Sequence, residues 1–183
     1  MRLYRQTVED FSLFAGMELS ADAMTRLRVA AGEMSAKMRA VRIVSASSVS
    51  KKDLQQRLVK KGEDPEQAKQ AVEWMSQLDL VDDRKTAEQI VRRCIGKGYG
   101  ISRAKQALYE KRIPKDLWEE ALADYPDQTE AIGDFLRARL GDGNDPKQLR
   151  KAMDALIRRG HSYGQIRAAL QSLCLDADDF PED

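Results

Sequence analysis

Three segments of this chain superpose without gaps: SKKDLQQRLVKKG from Ser50, GISRAKQALYEKR from Gly100, and SYGQIRAALQSLC from Ser162. A repeat constrains the fold tightly, because a repeated unit has to bury the same face each time. Leu58, Leu108 and Leu170 share one column, at offsets of 50 and 62. Leu54, Ala104 and Ile166 share another, four residues earlier. A pair at i and i+4 is one turn of a buried helical face. A second helical pattern precedes each segment, holding Val41 and Val44, then Val91 and Cys94, then Met153 and Leu156. An acidic stretch follows the first two. DPEQAKQAVEWMSQL sets Ala68, Val72, Met75 and Leu78 at helical spacing, and PKDLWEEAL opens with Pro114 at a first helical position. The third copy ends in LDADDFPED, too short for a full third helix. The unit is two basic helices and one acidic helix, about fifty residues long and used two and a half times.

Charge follows the same period. The net charge is only +1, yet it is +7 over residues 36–62, −6 over 63–83, +7 over 84–113, −5 over 114–130, +5 over 137–167 and −5 over 174–183. Such blocks speak of partners, because local fields rather than totals guide encounters. Charged residues at 33% with aromatics at 6% also favour helices over a large aromatic core. The fold class expected is all-α: tandem three-helix modules in an elongated array. The expected division is an arm and lead helix at 1–35, modules at 36–83 and 84–128, and a third module with an acidic tail at 129–183. Ahead of the array, MRLYRQTVEDFSLFAG lacks a helical period and reads as a short strand or an irregular arm. Ser20 caps a lead helix that Gly32 could break, Thr129 to Leu140 forms a joining helix, and GDGNDP is the clearest loop. No apolar run is long enough to span a bilayer and no secretory h-region opens the chain, so a cytoplasmic monomer away from membranes is expected. Cys94 and Cys174 lie far apart without a CxxC pattern, which supports neither a metal site nor a disulfide framework.

Gly96, Gly98 and Gly100, with Lys97 and Tyr99 between them, raise the alternative of a phosphate loop. Such loops follow a buried strand and read G-x-x-x-x-G-K-[ST] or G-x-G-x-x-G. Here the spacing is G-x-G-x-G and the preceding RKTAEQIVRRCI is helical in period. Gly98 aligns with Ser48 and Gly160, and Gly100 with Ser50 and Ser162. These are the corners where the first helix of each unit ends and the second begins.

LVDDRKTAEQIVRRCIGKGYGISRAKQALYEKRI resembles the central signature of the RecX family, regulators of the RecA recombinase, at Asp82, Asp83, Ala87, Arg92, Gly98, Gly100, Leu108, Lys111 and Ile113. SVSKKDLQQRLVKKG and LIRRGHSYGQIRAAL are similar to the family's first and third units. Two positions depart from the pattern. Arg112 stands where the family usually has Gly, which suggests a different helix end, and Thr86 stands where an aromatic is usual. The resemblance implies tandem three-helix modules that bind the RecA–DNA filament and reduce ATP hydrolysis and strand exchange, with no catalysis and no cofactor. It also implies contact with single- or double-stranded DNA without sequence preference.

The candidate contact residues are Arg92, Arg93, Lys97, Arg103, Lys105, Lys111 and Arg112 in the second unit, with Arg158, Arg159 and Arg167 in the third. Lys51, Lys52, Arg57, Lys60 and Lys61 repeat the placement in the first. Phosphate contacts from such residues give affinity without sequence choice and weaken with salt. The plain alternative for each is a solvated helical surface. Tyr99 and Tyr163 sit at corners, where they cover the bundle or stack on a base. Asp82 or Asp83 reads as an N-cap, Cys94, Trp74 and Trp118 as packing, and His161 as a surface residue of a turn. One histidine and two separated cysteines offer no nucleophile with its base and orienter. Two other classes compete: a helix-turn-helix transcription regulator, and an adaptor that binds protein alone. Basic pairs repeated along one chain speak against the first of these.

Overall fold

The computed structural model describes residues 3–140 and 145–173. Residues 141–144, where most of the expected GDGNDP loop falls, and residues 174–183, with Cys174 and the acidic segment, lie outside them. The helices among the described residues are α1 (Arg5–Asp10), α2 (Ala21–Ala46), α3 (Lys51–Lys60), α4 (Pro65–Gln77), α5 (Asp83–Gly96), α6 (Ile101–Glu110), α7 (Trp118–Leu122), α8 (Thr129–Leu140), α9 (Pro146–Arg158) and α10 (Tyr163–Ser172). A 3-10 turn at Lys115–Leu117 leads into α7, and there is no strand among these residues. The chain divides into two compact units, Met1–Thr86 and Ala87–Asp183.

In the first unit, α2, α3 and α4 close on Ala36, Ala40, Leu54, Leu58, Ala68, Ala71, Val72 and Met75. Alanines on α2 meeting alanines on α4 let the two backbones approach closely. The break expected at Gly32 does not occur, and α2 runs 26 residues from its Ser20 cap, whose hydroxyl accepts from the Ala23 N–H at 3.1 Å. Gly32 serves packing instead: a Cβ there would fall 2.3 Å from Oε1 of Gln67 on α4. A single interior glycine costs a helix only about 1 kcal/mol, which the packed face of α2 absorbs. The strand or irregular arm expected at the N-terminus is also corrected, since Arg5–Asp10 is a helix. One and a half turns are too short to show a period, and the turn is supported by Arg5–Glu9 and Gln6–Asp10 side-chain hydrogen bonds of 2.8 Å each. Leu78, spaced as if on the buried face of α4, falls at its C-cap and is half exposed.

In the second unit, α5, α6 and α7 gather around Ala87, Val91, Cys94, Ala104, Leu108, Ile113 and Leu122. α8, α9 and α10 gather around Ile132, Leu136, Met153, Leu156, Ile166 and Leu170. The joining helix α8 thus supplies the third wall of the last bundle. All six residues of the two repeat columns are fully buried, at 0% exposure. Pro114 is not at a first helical position. It keeps an extended ψ of 138° and caps the 3-10 turn, so the acidic helix of the second copy begins later and is only five residues long.

The helix ends repeat as well. Gly62, Gly98, Arg112 and Gly160 all take left-handed φ, at 90°, 62°, 56° and 89°. In each case the next residue's N–H returns to a carbonyl five residues back, as for Glu63 to Leu58 at 3.1 Å and Ile113 to Leu108 at 3.0 Å. Arg112 therefore does not make a different helix end. It holds the same end with a residue that has a Cβ.

Within the second unit the corner of α5–α6 lies directly against the corner of α9–α10. The Gly100 N–H donates to Arg159 O at 3.0 Å, and the Ser102 N–H to Gly160 O at 3.3 Å. A Cβ on Gly100 would lie 2.0 Å from Gly160 O. His161 is not a surface residue. It is 5% exposed, and Nε2 lies 3.0 Å from Gly98 O. A carbonyl only accepts, so Nε2 carries the proton. The histidine is one more strut of this junction.

Candidate nucleic-acid interface

The apolar stripe of each helix is spent in its core, so the basic residues of α5 and α6 face outward. Arg92 and Arg93 are exposed on α5, Lys97 on the corner, Arg103 and Lys105 on α6, and Arg112 just beyond it. Lys111 at the C-cap is half buried. Four of the seven come together: Arg93, Lys97, Arg103 and Lys111 line an open cleft of about 150 Å3 between α5 and α6. Ile90, Cys94, Tyr99 and Ala107 form its apolar part, and Glu110 stands at its edge, 3.7 Å from Nη1 of Arg103. Arg92, Lys105 and Arg112 do not line it, and Arg92 lies 3.7 Å from Glu88 one turn earlier.

The cleft's other groups are structural. Burial pushes the Cys94 thiol above its ordinary value, against the pull of Arg103, Lys97 and Arg93, which keeps it protonated and apolar at neutral pH. Tyr99 packs on the core with Lys97 Nζ 6.0 Å from its ring centre. Its carbonyl accepts from the Tyr125 hydroxyl at 2.6 Å, and burial pushes that phenol up to about 12. The corner is pinned from both sides. Tyr163, by contrast, is exposed. Trp118 packs on the same core and donates from Nε1 to Ile113 O at 3.1 Å. Trp74 packs on the first core under Lys37.

In the last bundle Arg158 and Arg167 are exposed, whereas Arg159 lies over the Phe135 ring at 4.7 Å, with Arg139 near the same ring at 5.3 Å. Arg159 is thereby engaged in cation–π contact. In the first unit a second open cleft, of about 350 Å3 between α2 and α3, is lined by Arg39, Arg42, Ile43, Ala46, Ser47, Arg57 and Lys61. Arg57 and Lys61 were expected at a contact surface, while Lys51, Lys52 and Lys60 lie outside this lining. Arg39 and Arg42 were missed. Their i, i+3 spacing on the solvent side of α2 was the available signal.

The Asp pair has two separate tasks. Asp82 Oδ1 accepts from the Arg84 and Lys85 N–H groups at 2.8 and 3.2 Å and caps its own helix. Desolvation acts to raise the Asp82 carboxyl, but the N–H groups of Lys85 and Arg84 outweigh it and hold the pKa below the ordinary carboxylate value. Asp83 Oδ1 instead accepts from the Lys51 N–H at 2.8 Å and caps α3 across the bundle. Thr86 is buried, its hydroxyl donating to Asp82 O at 2.7 Å.

The family model for the second three-helix domain of RecX matches residues 82–122, a span that contains the whole α5–α6 cleft. Regulatory protein RecX of Xanthomonas axonopodis pv. citri (strain 306) is 34% identical over 134 residues, covering 72% of this chain and 83% of that protein. The chain belongs to the RecX family. A RecX regulatory protein of Vibrio parahaemolyticus serotype O3:K6 is 28% identical over 140 residues, covering 75% of this chain and 90% of that one. A crystal structure of regulatory protein RecX aligns over 92% of this chain and 86% of its own, with a TM-score of 0.70 at 21% identity. RecX from Lactobacillus salivarius aligns over 79% and 98%, with a TM-score of 0.68 at 23% identity, so the two solved folds are shared. The role of the chain is that of a RecX regulatory protein and not an enzyme. No helix among its described residues is long and apolar enough to cross a membrane.

Proposed function

We propose that this protein binds the RecA–DNA filament and inhibits its ATP hydrolysis and strand exchange in recombination and DNA repair. The observation that carries the reading is the outward basic surface of α5 and α6: both apolar faces are consumed by the core, and Arg92, Arg93, Lys97, Arg103 and Lys105 remain exposed. A repeated cationic module suits a ligand that is itself repeated, and a filament presents recombinase subunits and phosphates at regular intervals. Contacts to phosphate hold position without reading bases, so no DNA sequence is preferred. Holding several subunits at once resists the movements that couple nucleotide turnover to exchange.

The test is ATP hydrolysis by RecA assembled on single-stranded DNA, titrated with this protein below equimolar ratio. Turnover is expected to fall at sub-stoichiometric addition. The triple variant Arg92→Glu, Arg93→Glu, Arg103→Glu is expected to lose the effect while keeping its helical circular dichroism. Unchanged turnover with folded wild-type protein refutes the filament reading, and full inhibition by the triple variant removes the second-unit surface from it.

A further inference from the structure

The repeat puts a groove between the first and second helices of two modules, and the two grooves are cationic by different means. The α2–α3 groove takes its charge from Arg39, Arg42, Arg57 and Lys61, and the α5–α6 groove from Arg93, Lys97, Arg103 and Lys111. The offset of 50 that superposes the helices superposes Lys61 on Lys111. It places Arg39 and Arg57 on Gln89 and Ala107, and Arg42 on Arg92, which does not line the second groove. In the other direction, Arg93, Lys97 and Arg103 fall on Ile43, Ser47 and Asp53. Both grooves are therefore cationic, though all but the Lys61–Lys111 pair of their lining cations come from different positions of the repeat. Two of these side chains, both in the first groove, are also braced. Glu63, itself buried and hydrogen-bonded by Ser35 at 3.0 Å, holds Arg39, and Asp53 holds Arg57 at 2.8 Å. Braced guanidinium groups lose less freedom when they meet an anion, although Glu63 and Asp53 offset part of their charge, which leaves Arg42 and Lys61 as the stronger cations of the first groove.

We propose that the two grooves are phosphodiester clefts, each receiving backbone phosphates of a DNA strand against an apolar floor of Ile43 and Ala46 in one and Ile90 and Ala107 in the other. This deepens the filament reading and rests on it. Nucleic acid is favoured over an acidic protein because the two grooves agree in charge but not in geometry. A ligand that is uniform in charge and tolerant of local shape, such as a flexible strand, is met by that requirement, whereas a folded acidic surface asks for one fixed arrangement. Glu110 at the second groove weakens it, whereas the corresponding residue of the first module, Lys60, lies outside the first groove's lining and adds no carboxylate there.

The experiment is fluorescence anisotropy of a labelled oligothymidine with the full chain, from low to moderate salt. Log affinity against log salt falls by roughly 0.7 per single-strand phosphate engaged. Arg42→Gln with Lys61→Gln, and separately Arg93→Gln with Lys97→Gln, are each expected to reduce that slope by about 0.7 to 1.4. The matched control Lys69→Gln with Lys115→Gln, exposed cations outside both linings and outside the candidate contact residues, is expected to change it by less than half as much. Glu110→Gln is expected to bind more tightly, a gain that a damaged fold does not give. Absence of binding by the wild-type chain, or equal slopes for control and groove variants, overturns the proposal. So does the case in which groove variants keep the DNA slope but lose the effect on RecA turnover, which assigns the grooves to protein and leaves the filament reading intact. Groove-dependent DNA slopes without any effect of the wild-type chain on RecA sink the filament reading alone.

Discussion

Replacing Gly100 by alanine isolates the junction between the two glycine corners. Gly100 has φ of −77° and ψ of 165°, a conformation open to any residue, so the substitution carries no backbone strain of its own. Its Cβ would nevertheless fall 2.0 Å from Gly160 O, 2.3 Å from Gly160 C and 2.5 Å from His161 N. All three are backbone atoms of a tight turn and cannot rotate aside. Relief requires the corners to part by about 1 Å, since Cβ contacts under 3.0 Å are essentially never found. Parting stretches three hydrogen bonds at once: Gly100 N–H to Arg159 O, Ser102 N–H to Gly160 O, and His161 to Gly98 O. At about 1 kcal/mol net for each, the loss is about 3 kcal/mol. For a unit of about a hundred residues that lowers Tm by on the order of 15 °C. Gly98→Ala is the contrasting control. Its φ is +62° and a Cβ there meets nothing within 4 Å, so it loses only about 1 kcal/mol of left-handed conformational cost. Thermal melts of both variants, with amide hydrogen exchange at Gly100 and Ser102, measure the difference. If Gly100→Ala melts within a few degrees of wild type with those amides still protected, the corners do not bear on each other as described.

Arg112→Gly removes a Cβ from a left-handed position and is expected to stabilise the chain by about 0.5–1 kcal/mol, read as a rise of a few degrees in Tm; an unchanged or lower Tm contradicts it. Asp83→Ala leaves the Ser50 cap in place but removes the acceptor of the Lys51 N–H at the start of α3, and should cost about 1 kcal/mol, seen as an earlier urea midpoint of the first unit. Stability should also fall as pH drops below 6.5. Burial holds the His161 imidazole below its ordinary value of 6.5, with the Gly98 hydrogen bond opposing and Arg159 reinforcing the shift. The unfolded chain then takes up the proton first, so the stability contributed by neutral His161 is complete above 6.5 and is lost as pH falls through the lowered folded value. A second ring proton would sit on Nδ1, which is buried with no hydrogen-bond partner among the described residues. His161→Gln should flatten the urea midpoint between pH 7 and 5, and an equally steep variant refutes the assignment.

What could be read from the chain alone depended on how local the cause was. Leu54, Leu58, Leu108 and Leu170 were legible because one turn of helix fixes their direction, and all are fully buried. Ser20, Ser50 and Ser162 were legible as caps for the same reason, each accepting from a backbone N–H three residues on. His161 was not, because its acceptor is the carbonyl of a residue 63 positions earlier and a turn composition says nothing of what is laid across it. Arg39 and Arg42 were counted in a charge block but not assigned to a surface, since a segment's net charge carries no information about which helix face meets which neighbour. The Arg112 helix end was misread for a subtler reason. A glycine-to-arginine departure suggests a changed turn, yet the Leu108–Ile113 contact and hydrogen bond that define the turn were unaltered, and they impose φ of 56° on the new residue.

The three corners show how a repeat acquires different joints without changing its core. In the second and third copies a left-handed glycine, Gly98 or Gly160, ends the first helix, and these two corners meet backbone to backbone. The first copy has Ser48 in that column, and its helix ends instead with an extended Ser47 at φ of −166°. No left-handed turn brings its carbonyls round for a partner. The N-terminus of α3 is satisfied otherwise, by Ser50 from within and by the Asp83 carboxylate from the start of α5. The same structural need, donors left over at the start of a second helix, is thus met by a side chain in one copy and by a neighbouring corner in another. Substituting Ser48 by glycine should therefore gain little, because the docking partner, and not the glycine alone, makes the joint.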